Sequence, residues 1–322
     1  MAVIGAGSII PFHLDALENL GFSFTSMIYK ENVSNANQLK SRFGIQHISN
    51  KIQELENKKF DCILLASSVE SLGPLLKELL VYKVPILVEK PVSLSLELFG
   101  SISNEAESLI QVAYNRRFYS SVREFKMRLH DIPQYSFDIR LPENSWNESM
   151  KLEAFIKNLK VNTVHGIDLL FYIFGEDLKI KYHSSSFVRN RGGLITCFLA
   201  NTKSSGLLSI SNGVPENYQV SARGWGARIE LKPLELFKSY SGIEVREPSL
   251  DSPIRQYTPR ANTSWQISQP DVKYKAGFFE QAKAFKAFVE TKEFPLEAAR
   301  ISDARRCVEF CELLASRLIE SA

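Results

Sequence analysis

The chain has 322 residues, enough for two domains rather than one. Hydrophobic residues make up 44% and charged residues 23%, the balance of an ordinary soluble globular protein. The net charge of +3 is too small to argue for a nucleic-acid or membrane-surface partner, and no apolar run reaches the roughly 18 residues of a membrane span. The start, MAVIGAG, has no basic n-region, so no signal peptide is expected and a cytoplasmic setting is. Cys62, Cys197, Cys307 and Cys311 lack metal or redox spacing and read as buried free thiols, with no metal site expected.

In chain order, Ala2, Val3 and Ile4 form a short apolar strand broken by Gly5, Ala6 and Gly7. Phe12, Leu14, Leu17 and Leu20 then recur at helical spacing. Strand, glycine turn and helix open a dinucleotide-binding βαβ unit. Gly5 would make the turn, and Gly7 would let the backbone approach a pyrophosphate. Ser8 and Ile9 would lie under it at the helix N-terminus, where unpaired N–H groups favour anions. Ile10 stands where the motif has its third glycine.

Residues 22–29 read as the second strand and 32–43 as a helix closed by Gly44. At the strand tip, Lys30 would suit a 2′-phosphate and Glu31 a free ribose, which gives NADP a weak preference over NAD. A solvated surface pair is the plainer alternative. A short strand is expected over 45–49 and a short helix over 52–57. Residues 60–66 are almost continuously apolar, as in a parallel strand buried on both faces, and end in Ser67 and Ser68. Helix over 72–82, buried strand over 84–88, helix over 94–108 and strand over 109–114 follow. This alternation predicts a doubly wound parallel sheet, with ligands at the carboxyl ends of its strands. The strand over 84–88 delivers Glu89, Lys90 and Pro91 to that end.

From Phe118 the pattern changes. Helices are expected over 121–130 and 152–175, with a strand over 135–141 and a polar loop over 142–149 holding Trp146. Period-2 segments over 180–188, 194–200, 206–212, 218–224 and 227–232 predict an antiparallel meander. Residues 249–271 are polar without a clear period. Amphipathic helices over 277–291 and 302–320 close the chain. The expectation is α/β: a Rossmann domain over 1–117, then an α+β domain over 118–322 with a large, mostly antiparallel open sheet.

The order GAGSIIPFH, ILLASS, VEKPVS, AYNRRF, VHGIDLLFYIFG and the closing FFEQAKAFKAFV resembles the Gfo/Idh/MocA oxidoreductases along the whole chain. The resemblance implies NAD(P), a sugar or cyclitol substrate, and dimers or tetramers formed through the open sheet. Lys90 matches the family's active-site lysine, which hydrogen-bonds the reacting hydroxyl, and the bond before Pro91 is implied to be cis. His165 matches the catalytic histidine that accepts the hydroxyl proton. Asp168, at i+3, would orient the imidazole, act on substrate, or form a surface salt bridge. Glu89 and Lys90 join Gly5, Gly7, Ser8, Ile9, Lys30, Ser67 and Ser68 on the cofactor side. Asn115 and Arg117 are implied to line the cleft entrance, and Asn162 would supply a polar contact in place of the carboxylate missing at Val161, though it cannot take a proton. Arg116, Arg117 and Arg123 would meet a phosphate or carboxylate, or simply be solvated.

The chain departs from the pattern at Val161, where the family has an aspartate, and at Asn158, Leu159 and Lys160, where glycines are common. Ser67 and Ser68 replace a threonine–proline pair, and Gly73 replaces a histidine. The reading is an NAD(P)-dependent oxidoreductase moving a hydride to or from a sugar, cyclitol or sugar-nucleotide carbinol, in surface-polysaccharide metabolism. The alternative is a catalytically silent cofactor-binding sensor or partner protein.

Overall fold

The structure, a computed structural model, describes residues 1–143 and 151–321. Two compact units form, neither continuous in sequence. The first joins Met1–Phe118, Leu159–Asp168 and Gln269–Leu313; the second joins Tyr119–Asn158, Leu169–Ser268 and Leu314–Ala322. A single cut after Arg117 therefore fails beyond the first stretch. His165, expected in the second domain, belongs to the same unit as Lys90.

The elements of the first stretch are β1 (Ala2–Ile4), α1 (Ile10–Asn19), β2 (Ser26–Ile28), α2 (Val33–Phe43), β3 (His47–Ser49), β4 (Ile63–Leu65), α3 (Val69–Leu79), β5 (Ile86–Val88), α4 (Glu97–Gly100), α5 (Asn104–Glu107) and β6 (Ile110–Val112). All strand pairings are parallel, in the order β3-β2-β1-β4-β5-β6. The order reverses beside β1, which opens a crevice at the carboxyl ends of β1 and β4. Except for β3, the strands are buried on both faces, which explains their unbroken apolar runs. Asn32 caps α2 by accepting the Asn35 N–H at 3.0 Å, and Gly44 ends it in the left-handed region.

The helix expected over 94–108 is instead two single turns, α4 and α5. Ser93 bonds the Ser95 backbone and Ser103 caps Ala106, so short polar side chains compete with a continuous ladder.

After the first stretch come α6 (Ser120–Leu129), β7 (Tyr135–Glu143), α7 (Leu152–Asn158), α8 (Val164–Phe174), β8 (Lys179–Val188), β9 (Gly192–Ala200), β10 (Ser204–Asn212), β11 (Gln219–Gly224), β12 (Ala227–Leu231), β13 (Leu236–Arg246), β14 (Gln256–Gln266), α9 (Gln269–Lys273), α10 (Phe278–Thr291) and α11 (Ile301–Ser321). Between α7 and α8 the helix widens into a π turn over Leu159–Thr163. Of the loop expected over 142–149, Pro142 and Glu143 instead finish β7, and the rest lies outside the described residues. Trp146 lies outside the described residues.

The second unit's sheet has eight strands, in the order β14-β13-β12-β11-β7-β10-β9-β8. It is antiparallel except where β10 runs parallel to β7, so it is not a plain meander. The polar stretch after Ser249 hides β14, which pairs with β13. Beyond Tyr240 both strands are exposed, so neither face selects apolar residues and no period-2 signal arises.

The first unit's core draws on both ends of the chain. Ile10, Leu14 and Leu17 of α1 pack with Phe278, Ala282, Phe285 and Phe288 of α10. Phe22 stacks on Phe285 with ring centroids 6.4 Å apart.

Candidate active site

Gly5 has φ +118, and a Cβ there would lie 2.0 Å from the Ala66 carbonyl oxygen. Only glycine permits this close crossing of the β1 and β4 ends. Gly7 is exposed, and a Cβ on it would meet nothing within 4 Å, so its backbone lies bare to the crevice. Ile10, in the third glycine position, is fully buried in the core. The N-terminus of α1 has neither a side-chain cap nor an acidic residue in its first turn, and Pro11 carries no N–H. Ser8 is exposed and Ile9 half-buried at this positive pole. Bare backbone, an uncapped helix and open space suit a pyrophosphate, so these residues fit a dinucleotide.

Beside this turn, the Asn35 amide donates to the Ala6 carbonyl oxygen. Ser67 is half-buried and Ser68 exposed at the end of β4, with the Ser68 and Ser71 hydroxyls 2.9 Å apart. Lys30 and Glu31 are both exposed and 3.6 Å apart, the geometry of a solvated pair.

Glu89 is wholly occupied by protein. Its Oε1 lies 2.7 Å from His13 Nε2, and its Oε2 accepts the Lys90 N–H at 3.1 Å. Burial would raise its carboxyl, but the His13 bond and the Lys90 charge outweigh it and hold the group below the usual range. His13, which sequence reasoning missed, is buried one turn into α1 against Phe278, with centroids 4.6 Å apart. Its signal was a lone histidine on the apolar face of that helix.

The Lys90–Pro91 bond is cis. Lys90 Nζ donates to the Val161 carbonyl oxygen at 2.9 Å, inside the π turn. A backbone carbonyl thus meets Lys90 at the residue where the resemblance implies an aspartate. Asn162, next in the turn, is exposed. Gly73 is tightly enclosed: a Cβ would sit 3.2 Å from Leu98 Cδ2 and 3.4 Å from the Val92 carbonyl oxygen, so a larger residue would require the leucine to shift.

His165 stands half-buried at the start of α8, its ring edge-on to Tyr114 with centroids 5.9 Å apart. Its Nδ1 is buried without a hydrogen-bond partner among the described residues. Burial first, then the charges of Lys90, Arg116 and Lys275, push its pKa well below the usual histidine value, so the ring is neutral at pH 7. Lys275 is a second residue the sequence did not flag. It precedes α10 and lies 4.8 Å from the Phe12 ring centroid.

Three expectations are corrected here. Asp168 does not orient His165. It is buried and accepts from Arg117 Nε at 2.9 and 3.1 Å and from Nη2 at 2.5 Å. Burial outweighs the lowering by Arg117 and leaves its carboxyl raised to about 6, so it is still mostly ionised at pH 7. Arg117 does not line a cleft. It is 5% exposed and also donates to Asp303 at 3.4 Å, because a desolvated guanidinium needs carboxylates around it. Asn115 is buried too, and its amide donates to the Ala276 carbonyl oxygen at 2.9 Å.

The model of the Gfo/Idh/MocA family, described as an oxidoreductase family with an NAD-binding Rossmann fold, matches residues 1–115. A dehydrogenase from Clostridium difficile is similar over 100% of this chain and 99% of its own, at 21% identity and TM-score 0.72. A myo-inositol dehydrogenase from Corynebacterium glutamicum is similar over 99% and 96%, at 16% identity and TM-score 0.71. An oxidoreductase from Agrobacterium radiobacter, crystallised with NAD+, L-tartaric acid and magnesium, is similar over 100% and 96%, at 14% identity and TM-score 0.74. No curated protein matches the sequence. Residues 1–115 are thus similar to the Gfo/Idh/MocA oxidoreductases, and over its whole length the chain has the fold of these dehydrogenases.

Proposed function

We propose that the protein is an NAD(P)-dependent oxidoreductase acting on a CH–OH group of a sugar, cyclitol or sugar nucleotide. The observation that carries this reading is the pairing of Lys90 with the Val161 carbonyl one turn before a neutral His165. When bound, the nicotinamide dinucleotide gives or takes the hydride. Lys90 donates a hydrogen bond to the reacting hydroxyl and favours alkoxide character. His165 accepts the hydroxyl proton in the oxidising direction and returns it in the reducing one. With Nδ1 buried, Nε2 is the ring nitrogen left for that proton. Glu89 and His13 hold the backbone of Lys90 in place.

The myo-inositol dehydrogenase among the similar structures supports a polyol-type substrate. A role in surface-polysaccharide metabolism and a cytoplasmic location belong to the same reading. Lys30 supports a weak preference for NADP. The first unit is the dinucleotide binder and also carries Lys90 and His165; the second carries self-association, as a homodimer or homotetramer. Tyr182, Phe198 and Leu207 support that association, forming an exposed stripe across β8, β9 and β10.

One observation favours a second reading, a silent cofactor-binding sensor or partner: Lys90 has a carbonyl at position 161 where the family has a carboxylate. Calorimetric titration with NAD+ and NADP+, then a turnover screen over a sugar and polyol panel, separates the two. Saturable binding with turnover supports the enzyme, and binding without turnover supports the silent protein. Absence of binding by folded protein refutes both.

A further inference from the structure

We propose that Lys275 recognises an anionic group, a carboxylate or phosphate, on the substrate handled by Lys90 and His165. This rests on the reading above.

The turn that carries Lys275 is fixed on both sides. The Ala276 carbonyl accepts from Asn115, the Gly277 N–H donates to the buried Asp271 carboxylate at 2.8 Å, and the Phe278 N–H donates to the Lys275 carbonyl at 3.0 Å. The lysine stem therefore leaves a fixed backbone turn. Its ammonium rests 4.8 Å from the Phe12 ring centroid and 5.4 Å from that of Phe278. Both rings belong to the wall that holds His13 against Glu89.

No carboxylate pairs with Lys275 among the described residues. Glu89 is the carboxylate whose charge it feels, and both Glu89 oxygens are already engaged by His13 and the Lys90 N–H. Lys90, Arg116 and Lys275 all act electrostatically on His165. Lys275 thus acts on the same imidazole as Lys90. A neutral polyol would bring no opposite charge to the Lys275 ammonium. A substrate with a carboxylate or phosphate would supply one and gain charge-assisted hydrogen bonds.

The dinucleotide pyrophosphate is a competing anion, because Phe12 is also in the first turns of α1. The test separates the two. Full-length wild type and Lys275→Gln are titrated with NAD+ and NADP+. Each, saturated with NADH, is then titrated with D-glucuronate against D-glucose, and with myo-inositol 1-phosphate against myo-inositol. The expected wild-type result is tighter binding of the charged member of at least one pair, by about tenfold or more. Lys275→Gln should remove that preference and change dinucleotide affinity by less than about twofold. The proposal is overturned if wild type prefers or binds no charged member, or if the preference survives in the variant. A comparable loss of dinucleotide affinity instead assigns Lys275 to the pyrophosphate. Failure of wild type to bind either dinucleotide refutes the underlying oxidoreductase reading itself.

Discussion

Lys90 Nζ lies 2.9 Å from the backbone carbonyl oxygen of Val161. A carbonyl holds an ammonium in place without neutralising it, so the positive charge of Lys90 still acts on His165. Val161→Asp would place a carboxylate in the same turn. Opposite charge favours the protonated imidazole, so the variant's histidine should titrate at higher pH, by on the order of one unit. Proton NMR titration of the His165 ring checks this. An unchanged midpoint would mean that the side chain at 161 does not face the pair.

The low pKa of His165 also sets the acid sensitivity of the first unit. Its ordinary value of about 6.5 applies to the unfolded chain. Below that pH the unfolded state binds a proton that the folded state refuses, so this group's contribution falls as pH drops toward its folded pKa. Denaturant midpoints should decline more steeply below about pH 6.5 in wild type than in His165→Gln. Parallel curves would contradict the assignment. The rate of oxidation should rise with pH through one ionisation below the usual histidine value, and be level near pH 7.

Arg117 and Asp168 predict a stability effect rather than a catalytic one. Arg117→Ala would strand the buried Asp168 carboxylate, while Asp303 keeps Arg306 and the Arg300 N–H, and should cost about 3–5 kcal/mol. Pairing it with Asp168→Asn should recover part of that loss, because one stranded charge is gone. Urea midpoints of the single and double variants measure both effects. A double variant no more stable than Arg117→Ala would show that the two side chains do not act as a pair.

The two glycines of the first turn should separate folding from binding. Gly5→Ala combines a left-handed backbone with a 2.0 Å approach to Ala66, each costing about 1–3 kcal/mol. Gly7→Asp meets no such wall, so it should fold. It should nonetheless weaken dinucleotide binding, since a carboxylate faces the pyrophosphate. Thermal midpoints and calorimetric titration read the two effects separately. A stable Gly5→Ala protein would contradict the crossing geometry.

Much of the first unit was legible because it is written locally. Parallel strands buried on both faces give continuous apolar runs, and Gly5, Pro91 and Gly44 punctuate them. Lys90 and His165 stood out through the motifs around them. Their surroundings did not, because those depend on residues far apart in the chain. Arg117 meets Asp168 across 51 positions, and Asn115 meets Ala276 across 161. Asp168 at i+3 from His165 suggested a shared face, but a buried arginine claims the carboxylate. The β13–β14 ribbon escaped notice for a different reason: with both faces exposed, nothing imposes a hydrophobic period.

The most direct test of the account is steady-state turnover of wild type, Lys90→Ala and His165→Ala, followed through nicotinamide absorbance over the sugar and polyol panel, with dinucleotide dissociation constants measured alongside. The account predicts that wild type turns over at least one substrate. Each variant should lose about 10²–10⁴-fold in kcat/KM while its dinucleotide affinity changes by less than about twofold. A Lys90→Ala protein as active as wild type would contradict the site, and a wild type that binds dinucleotide yet turns over nothing on the panel would contradict the enzyme.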